Sequence, residues 1–441
     1  MLLKVTKSKQ LQGTVSMPRS KTHSFRALIL SSLAEGRSFI RKPKISSDWN
    51  HAVEAMTMYG AQITKIEDDV FEVVGVAGKL QTPNNVLDVK NSGTMLAYLM
   101  GVAAACPGYS IITGDSSIRN LRHISRNTIQ PFEELGVQII STKGDGMAPF
   151  VIKGQVNGGE AHADGTGCQP IFSLLVACAL SKIPVTLLVE NPGETAYIDS
   201  LLYWFKTAGI PYENVGGTYT HYQFPGNTIP HPFDVEIPFE WSTPGYPLLS
   251  ALLIPDSRLT VCGMDHTDPY GDKYVIEVLK NMGGNITIDD HGTLTAQTSN
   301  LHSIEVDMNR LPDQLPTIAV AACFAKGKTV IKNTKTARWK ECDRIRAMYE
   351  ELSKMGAKIK EREDGLVIDQ DGSWKLHAAE IDGHHDHRIV MVFAIAGMMC
   401  EGTTTITNAE YVKKSFAGFF PEMIAAGAKF ELLEEDANHY L

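Results

Sequence analysis

Residues 274–286 read YVIEVLKNMGGNI, and this stretch decides the fold because it recurs. Its first nine residues carry apolar side chains at helical spacing. Gly283 follows at the point where the helix must stop, and a glycine takes the left-handed capping conformation at little cost. A β-prone segment then begins at Asn285. The same phrase returns as MYGAQI at Gly60, ELGVQI at Gly136, TAGIPY at Gly209, KMGAKI at Gly356 and AAGAKF at Gly427. The six glycines are spaced 76, 73, 74, 73 and 71 residues apart, so six similar units fill the 441-residue chain.

A second element recurs with the same period. It is a nearly all-apolar helix entered through polar residues and often left through a turn into a strand. The copies begin at SKTHSFRALIL (20–30), NSGTMLAYLM (91–100), GCQPIFSLLV (167–176), STPGYPLLSALL (242–253), PDQLPTIAV (312–320) and HDHRIVMVFAIA (385–396). A helix that is apolar all round is buried on every side. Each unit therefore reads as strand, helix, strand and helix, with one helix internal. The expected fold class is α/β, with two globular domains of three sheet-and-helix units wrapped around buried helices. An open repeat array is the alternative.

Composition agrees with a large packed core: 43% of residues are apolar and 21% charged, which excludes disordered and fibrous classes. The net charge of −9 argues against a nucleic-acid binder that relies on bulk positive charge, while leaving room for a local basic pocket. The seven cysteines form no CxxC pair and mostly lie in apolar runs, so they read as reduced, buried thiols. The first residues, MLLKVTKSKQLQG, hold no apolar signal core, and no run reaches the length of a membrane span. A soluble, cytoplasmic protein without a membrane or nucleic-acid partner is expected.

The entrances of the buried helices carry the chemistry. A helix N-terminus offers unpaired N–H groups and the positive end of a dipole, a ready site for an anion. Basic residues fall at or near several entrances: Lys21 and Arg26, Arg119 and Arg122, and Arg388. Arg338, Lys340 and Arg344 form another group, and Lys413 and Lys414 the last. Converging, these would bind a small polyanion; singly, each reads as a solvated surface charge. Asp313 heads a buried helix and is either a functional carboxylate or an N-cap. Glu341 is either functional or half of a surface ion pair. The run HHDHR (384–388) lacks a second ligand cluster at metal spacing, so no metal is expected. Cys168, also at an entrance, reads as a packed thiol rather than a nucleophile.

Eight segments in order, SKTHSFRALIL (20–30), NSGT (91–94), TGDSSIRNLR (113–122), DGTGCQ (164–169), PDQLPTIA (312–319), RWKECDRI (338–345), DHR (386–388) and VKKSF (412–416), resemble the 5-enolpyruvylshikimate-3-phosphate synthases (3-phosphoshikimate 1-carboxyvinyltransferases), with this chain a divergent member of the enolpyruvyl transferases. The resemblance spans the chain. It implies an inside-out α/β barrel in two three-unit globes, 19–237 and 1–18 with 238–441, and an active site in the cleft between them. It also implies transfer of the enolpyruvyl group of phosphoenolpyruvate to a hydroxyl of shikimate 3-phosphate, in aromatic amino acid biosynthesis, with phosphate released and no cofactor.

Carried over residue by residue, the resemblance implies that Lys21, Gly93, Arg122, Gln169, Arg344, Arg388 and Lys414 hold phosphoenolpyruvate, with Arg119 a rival to Arg122. Asp313 is the implied base, and Glu341 and Lys21 are the implied proton donors. Thr22, Arg26, Cys168, Tyr197, Thr336, Lys340 and His387 complete the implied substrate contacts. The departures are Arg19, Phe25, Ala97, Gly167, Cys168, Glu194 and Thr336, and most of them cluster on the acceptor side. Gly167, Cys168 and Glu194 stand where three phosphate-binding hydroxyls are expected, which predicts weak binding of shikimate 3-phosphate. Two alternatives follow: a transferase using a different, unphosphorylated acceptor, and an inactive small-anion-binding paralogue. An RNA-cyclase-like relative is disfavoured by the motif set.

Overall fold

The structure is a computed structural model that describes residues 1–120 and 126–434. These residues form two compact units, a continuous one, Arg19–Pro238, and a discontinuous one, Met1–Pro18 with Phe239–Leu441. Each unit contains three four-stranded sheets. All six sheets share one topology: a parallel pair at one edge, followed by two antiparallel neighbours. In one example, Gly159–Asp164 runs parallel to Val185–Glu190, which pairs antiparallel with His221–Phe224 and through it with Glu213–Asn214. The sixfold phrase in the sequence is thus a sixfold supersecondary unit, and the sheets do not close into a barrel.

A buried helix joins the members of most parallel pairs. The six are α1 (Lys21–Leu33), α2 (Gly93–Ala105), α3 (Cys168–Ala179), α4 (Gly245–Leu253), α5 (Leu315–Phe324) and α6 (His387–Met398). Every residue of α4 and of α6 is buried, as the absence of a polar stripe requires. In the discontinuous unit α4, α5 and α6 pack on one another. In the continuous unit α2 packs closely on α3 at Gly101, where a β-carbon would come within 2.5 Å of the Ser173 carbonyl oxygen.

Three of the six polar entrances prove to be caps. Ser20 Oγ accepts the His23 N–H of α1, Ser92 Oγ accepts the Met95 N–H of α2, and Asp386 accepts the Arg388 N–H of α6. The seven cysteines are free thiols, and five are buried. Cys262 departs from the expected burial and is exposed, because it lies just past the strand Arg258–Val261. Among the described residues no helix is long and apolar enough to cross a membrane.

The six phrase glycines all have positive φ, from +64° at Gly209 to +112° at Gly427. At Gly427 a β-carbon would also lie 2.8 Å from the backbone carbonyl oxygen of Gln10. Gly427→Ala is therefore expected to destabilise the discontinuous unit by at least about 1–2 kcal/mol, the usual penalty for a side chain in left-handed backbone. Urea unfolding measures it; a cost of a few tenths would show that the turn relaxes.

Candidate active site

The densest charged cluster of the discontinuous unit grows from Arg344. Asp343 caps the helix Arg344–Lys354, placing Arg344 at its first position with its side chain only 1% exposed. A guanidinium buried this deeply must be surrounded by acceptors. Nε donates to Asp386 at 2.7 Å, Nη1 to Asp313 at 2.8 Å and Nη2 to Glu341 at 2.7 Å. Arg388, in the first turn of α6, reaches Asp272 at 3.2 Å and Asp313 at 3.3 Å. Lys414 Nζ lies 3.2 Å from Glu341, and Lys340 Nζ 3.7 Å from Asp313.

Four cations and four carboxylates therefore interlock, and burial sorts the acids into two kinds. The Asp272 and Asp386 side chains are fully buried, whereas those of Asp313 and Glu341 are 19% and 18% exposed. The inner pair anchors the two arginines; the outer pair faces a side from which another anion can exchange with it. Burial alone would raise Asp313, but Lys340, Arg388 and Arg344 together outweigh it and hold the carboxyl well below the usual range. His387 is pushed down to about 3, first by burial, so it is neutral at any working pH.

The structure thus brings together Asp313, Lys340, Glu341, Arg344, Arg388 and Lys414 from separate segments. Asp313 lies in the turn Pro312–Gln314 ahead of α5, and its carboxylate meets cations. Glu341 is likewise part of this cluster and not a surface pair. Thr336 is buried in the turn Lys335–Trp339. Arg338 instead pairs with Asp343 and Glu361, and Lys413 is exposed. Sequence reasoning missed Asp272 and Asp386 as partners. Asp386 had a signal, an aspartate immediately before a buried helix; Asp272 had none.

In the continuous unit, Lys21 opens α1, with Thr22 beside it, and pairs with the buried Asp48 at 3.3 Å. Arg26 is buried at 1% exposure: it donates to Tyr98 Oη at 2.7 Å and Ser200 Oγ at 2.9 Å, with its guanidinium over Phe172. It ties α1 to α2 and α3. Gly93 opens α2. Cys168 and the half-buried Gln169 open α3, Cys168 being a buried thiol. Gly167 has no side chain with which to cap α3, and Glu194 does so from outside: its buried carboxylate accepts the Cys168 N–H at 2.8 Å. Tyr197 is buried in the first turn of the helix Thr195–Thr207. Arg19 donates to the Ile237 carbonyl and pairs with Glu236, Arg119 is exposed, and Arg122 lies outside the described residues.

A family model described as EPSP synthase (3-phosphoshikimate 1-carboxyvinyltransferase) matches residues 5–423. A protein of that name from Acetivibrio thermocellus is 39% identical over 434 residues, covering 98% of this chain and 100% of its own length. One from Methanocaldococcus jannaschii is 37% identical over 435 residues, covering 98% of this chain and 99% of its own. Among solved structures, an EPSP synthase from Acinetobacter baumannii superposes with a TM-score of 0.81 at 24% identity, covering 98% and 100% of the two chains. The enolpyruvyl transferase NikO from Streptomyces tendae gives 0.76 at 16% identity, covering 98% of each chain. These two superpositions speak for the fold.

Asp386→Asn separates the cap from the charge, since asparagine caps as well as aspartate. It is expected to cost about 3 kcal/mol at neutral pH, the lower end for breaking a buried pair, because Arg344 keeps two other carboxylates. Burial raises the Asp386 pKa, but Arg344 more than offsets it, so the folded value is depressed. The stability tied to it is present above the unfolded value of about 3.9 and lost as pH falls through the folded one. Urea unfolding should therefore show the gap between wild type and variant closing below about pH 4; a gap independent of pH would disprove the charge account.

Proposed function

The chain belongs to the EPSP synthase (3-phosphoshikimate 1-carboxyvinyltransferase) family, and from that premise we propose how its residues perform the transfer. It is a transferase that moves the enolpyruvyl group of phosphoenolpyruvate onto a hydroxyl of shikimate 3-phosphate and releases phosphate. Relatives of that name at 34–39% identity over nearly the whole chain do not favour a different acceptor or an inactive paralogue.

The observation that carries the assignment of residues is the Arg344 cluster. In the proposed mechanism the acceptor hydroxyl oxygen adds to C2 of phosphoenolpyruvate while its proton passes to Asp313. Glu341 in its protonated form, or the Lys21 ammonium, delivers a proton to C3, turning the methylene into a methyl group. In the resulting adduct C2 carries both oxygens. The bond from C2 to the phosphate oxygen then breaks as the proton held by Asp313 passes to the leaving phosphate, C3 returns its proton to the donor, and the enolpyruvyl ether remains with Asp313 again ionised.

Asp313 at rest is too weak a base, because its cations hold the carboxyl ionised. The phosphate and carboxylate of phosphoenolpyruvate, meeting Arg344, Arg388 and Lys414, take up part of that positive field. The Asp313 pKa then rises towards the range in which a base works well. Substrate binding thus converts a resting ion pair into the base. The residues proposed for the reaction are Lys21, Thr22, Arg26, Gly93, Arg122, Cys168, Gln169 and Tyr197, within the continuous unit, and Asp313, Thr336, Lys340, Glu341, Arg344, His387, Arg388 and Lys414, within the discontinuous one. A cytoplasmic site, no cofactor and no nucleic-acid or membrane partner complete the proposal.

Asp313→Asn should leave the fold intact and lower kcat by about 10²–10⁴-fold, the usual worth of general-base catalysis. Phosphate release under saturating substrates measures it, and a near-wild-type rate would remove Asp313 from the chemistry. On the acceptor side, the Glu194 carboxylate already holds an N–H of the α3 entrance, so a phosphate arriving there meets a like charge. Glu194→Gln keeps an acceptor oxygen and removes the charge. A several-fold lower KM for shikimate 3-phosphate is expected; an unchanged or higher KM would mean that the acceptor phosphate binds away from this entrance.

A further inference from the structure

The helix Arg344–Lys354 grips one loop twice. Arg344 and Glu351 are seven residues apart, two turns or about 10.5 Å, and so share a face. Arg344 holds Asp386. Two turns on, His384 Nε2 donates to Glu351 Oε1 at 3.0 Å, and the Asp382 backbone N–H donates to Glu351 Oε2 at 3.1 Å. The Glu351 side chain is only 2% exposed. The loop between these grips is held in an unfavourable shape. His384 and His385 have φ of +49° and +52°, consecutive residues in the left-handed region that side chains disfavour. The His384 N–H donates to Asp382 at 2.8 Å and the His385 N–H to Asn408 at 3.4 Å. Asp386 and Arg388 follow directly, and both belong to the cation cluster.

Glu350, Glu351 and His384 also bring ligand-type atoms within 4.8 Å of one another. Lys354 Nζ, however, lies 2.8 Å from both oxygens of Glu351 and already supplies positive charge there. The cluster is an ion-pair network.

We propose that the Glu351–His384 pair is a positioning device for the transfer: it pins the left-handed turn that aims Asp386 at Arg344 and seats Arg388 at the entrance of α6. The inference rests on Arg344 and Arg388 being the cations that hold phosphoenolpyruvate. The charged groups facing His384 are Glu350, Glu351 and Lys354 from the helix and Asp382 from its own loop. The hydrogen bond to Glu351 holds the His384 pKa above the ordinary value; burial opposes it, and Asp382, Glu351 and Glu350 add to the rise. With the folded value raised, the pair is at full strength below the unfolded value of about 6.5 and weakens as pH rises through the folded one.

The test measures kcat and KM for phosphoenolpyruvate from about pH 5.5 to about pH 9, bracketing the ordinary histidine value. Wild type, His384→Gln, His384→Ala and Glu351→Gln are compared, with thermal unfolding recorded at each pH. In wild type, KM for phosphoenolpyruvate should rise several-fold across the His384 titration while kcat changes less. His384→Gln, which can still donate to Glu351 but carries no charge, should show no such inflection and hold KM near the high-pH value of wild type. His384→Ala and Glu351→Gln should raise KM about ten- to a hundredfold at every pH, the worth of roughly an ångström of misplacement.

Histidine NMR supplies a readout apart from catalysis: the imidazole should titrate above the ordinary value in wild type and fall back towards it in Glu351→Gln. A folded His384→Ala variant with wild-type KM throughout overturns the proposal. Should that variant fail to fold, a wild-type inflection persisting in His384→Gln overturns it equally. If the wild type shows no transfer, the assigned reaction fails separately, and calorimetric binding of phosphoenolpyruvate takes the place of KM with the same expectations.

Discussion

A helix buried on every side can meet solvent or ligand only at its ends. That constraint organises the molecule. The sheets cover the flanks of α1 to α6, so the charged residues Lys21, Arg26 and Arg388 lie in the first two turns, near the entrances, where backbone N–H groups need partners. Ser20, Ser92 and Asp386 supply them from the local chain, and Glu194 supplies one to α3 from a neighbouring segment. Cations gather beside these entrances because carboxylates are already there. Arg344 and Arg388 can be buried because Asp386 and Asp272 are fully buried beside them. Binding a polyanion then requires no new charge burial, only an exchange between the outer carboxylates and the ligand.

Such an exchange explains why the residues of the site are also residues of the core. Arg344 opens a helix, touches three acids and is almost wholly enclosed. Arg26 plays the corresponding part in the continuous unit, joining α1 to α2 through Tyr98, to α3 through Phe172 and to the helix Thr195–Thr207 through Ser200. Rigidity of this kind keeps charged groups oriented without substrate, so little reorganisation is left for the reaction itself.

The repeat was legible in the sequence because its signals are local: a glycine past each helix and an apolar run past each polar entrance. All six glycines take the positive φ that the phrase implied. The cationic half of the site was legible for the same reason, since Lys340, Glu341 and Arg344 are close in sequence and Asp313 and Arg388 lie at helix entrances. Partnerships were not legible where they are tertiary. Asp272 reaches Arg388 across 116 positions, and nothing in PYGDKY (269–274) marks it. Glu194 stands at an expected anion subsite, yet its sequence gives no hint that it caps α3, a helix that ends fifteen residues earlier. Arg26 read as a ligand contact, and its enclosure by aromatic rings depends on how three distant helices pack.

The strand Leu2–Thr6 lies between Thr403–Ile406 and Lys429–Leu433 in one sheet, so the first and last strands of the described chain are neighbours. During synthesis on the ribosome the first strand emerges with no partner until some four hundred residues later, when Ile406 arrives to pair with Leu3. The three sheets of Arg19–Pro238, by contrast, draw all their strands from one uninterrupted stretch. Order of assembly is thereby written into the threading: the continuous unit can finish its sheets during translation, while the other keeps its leading strand waiting for the tail.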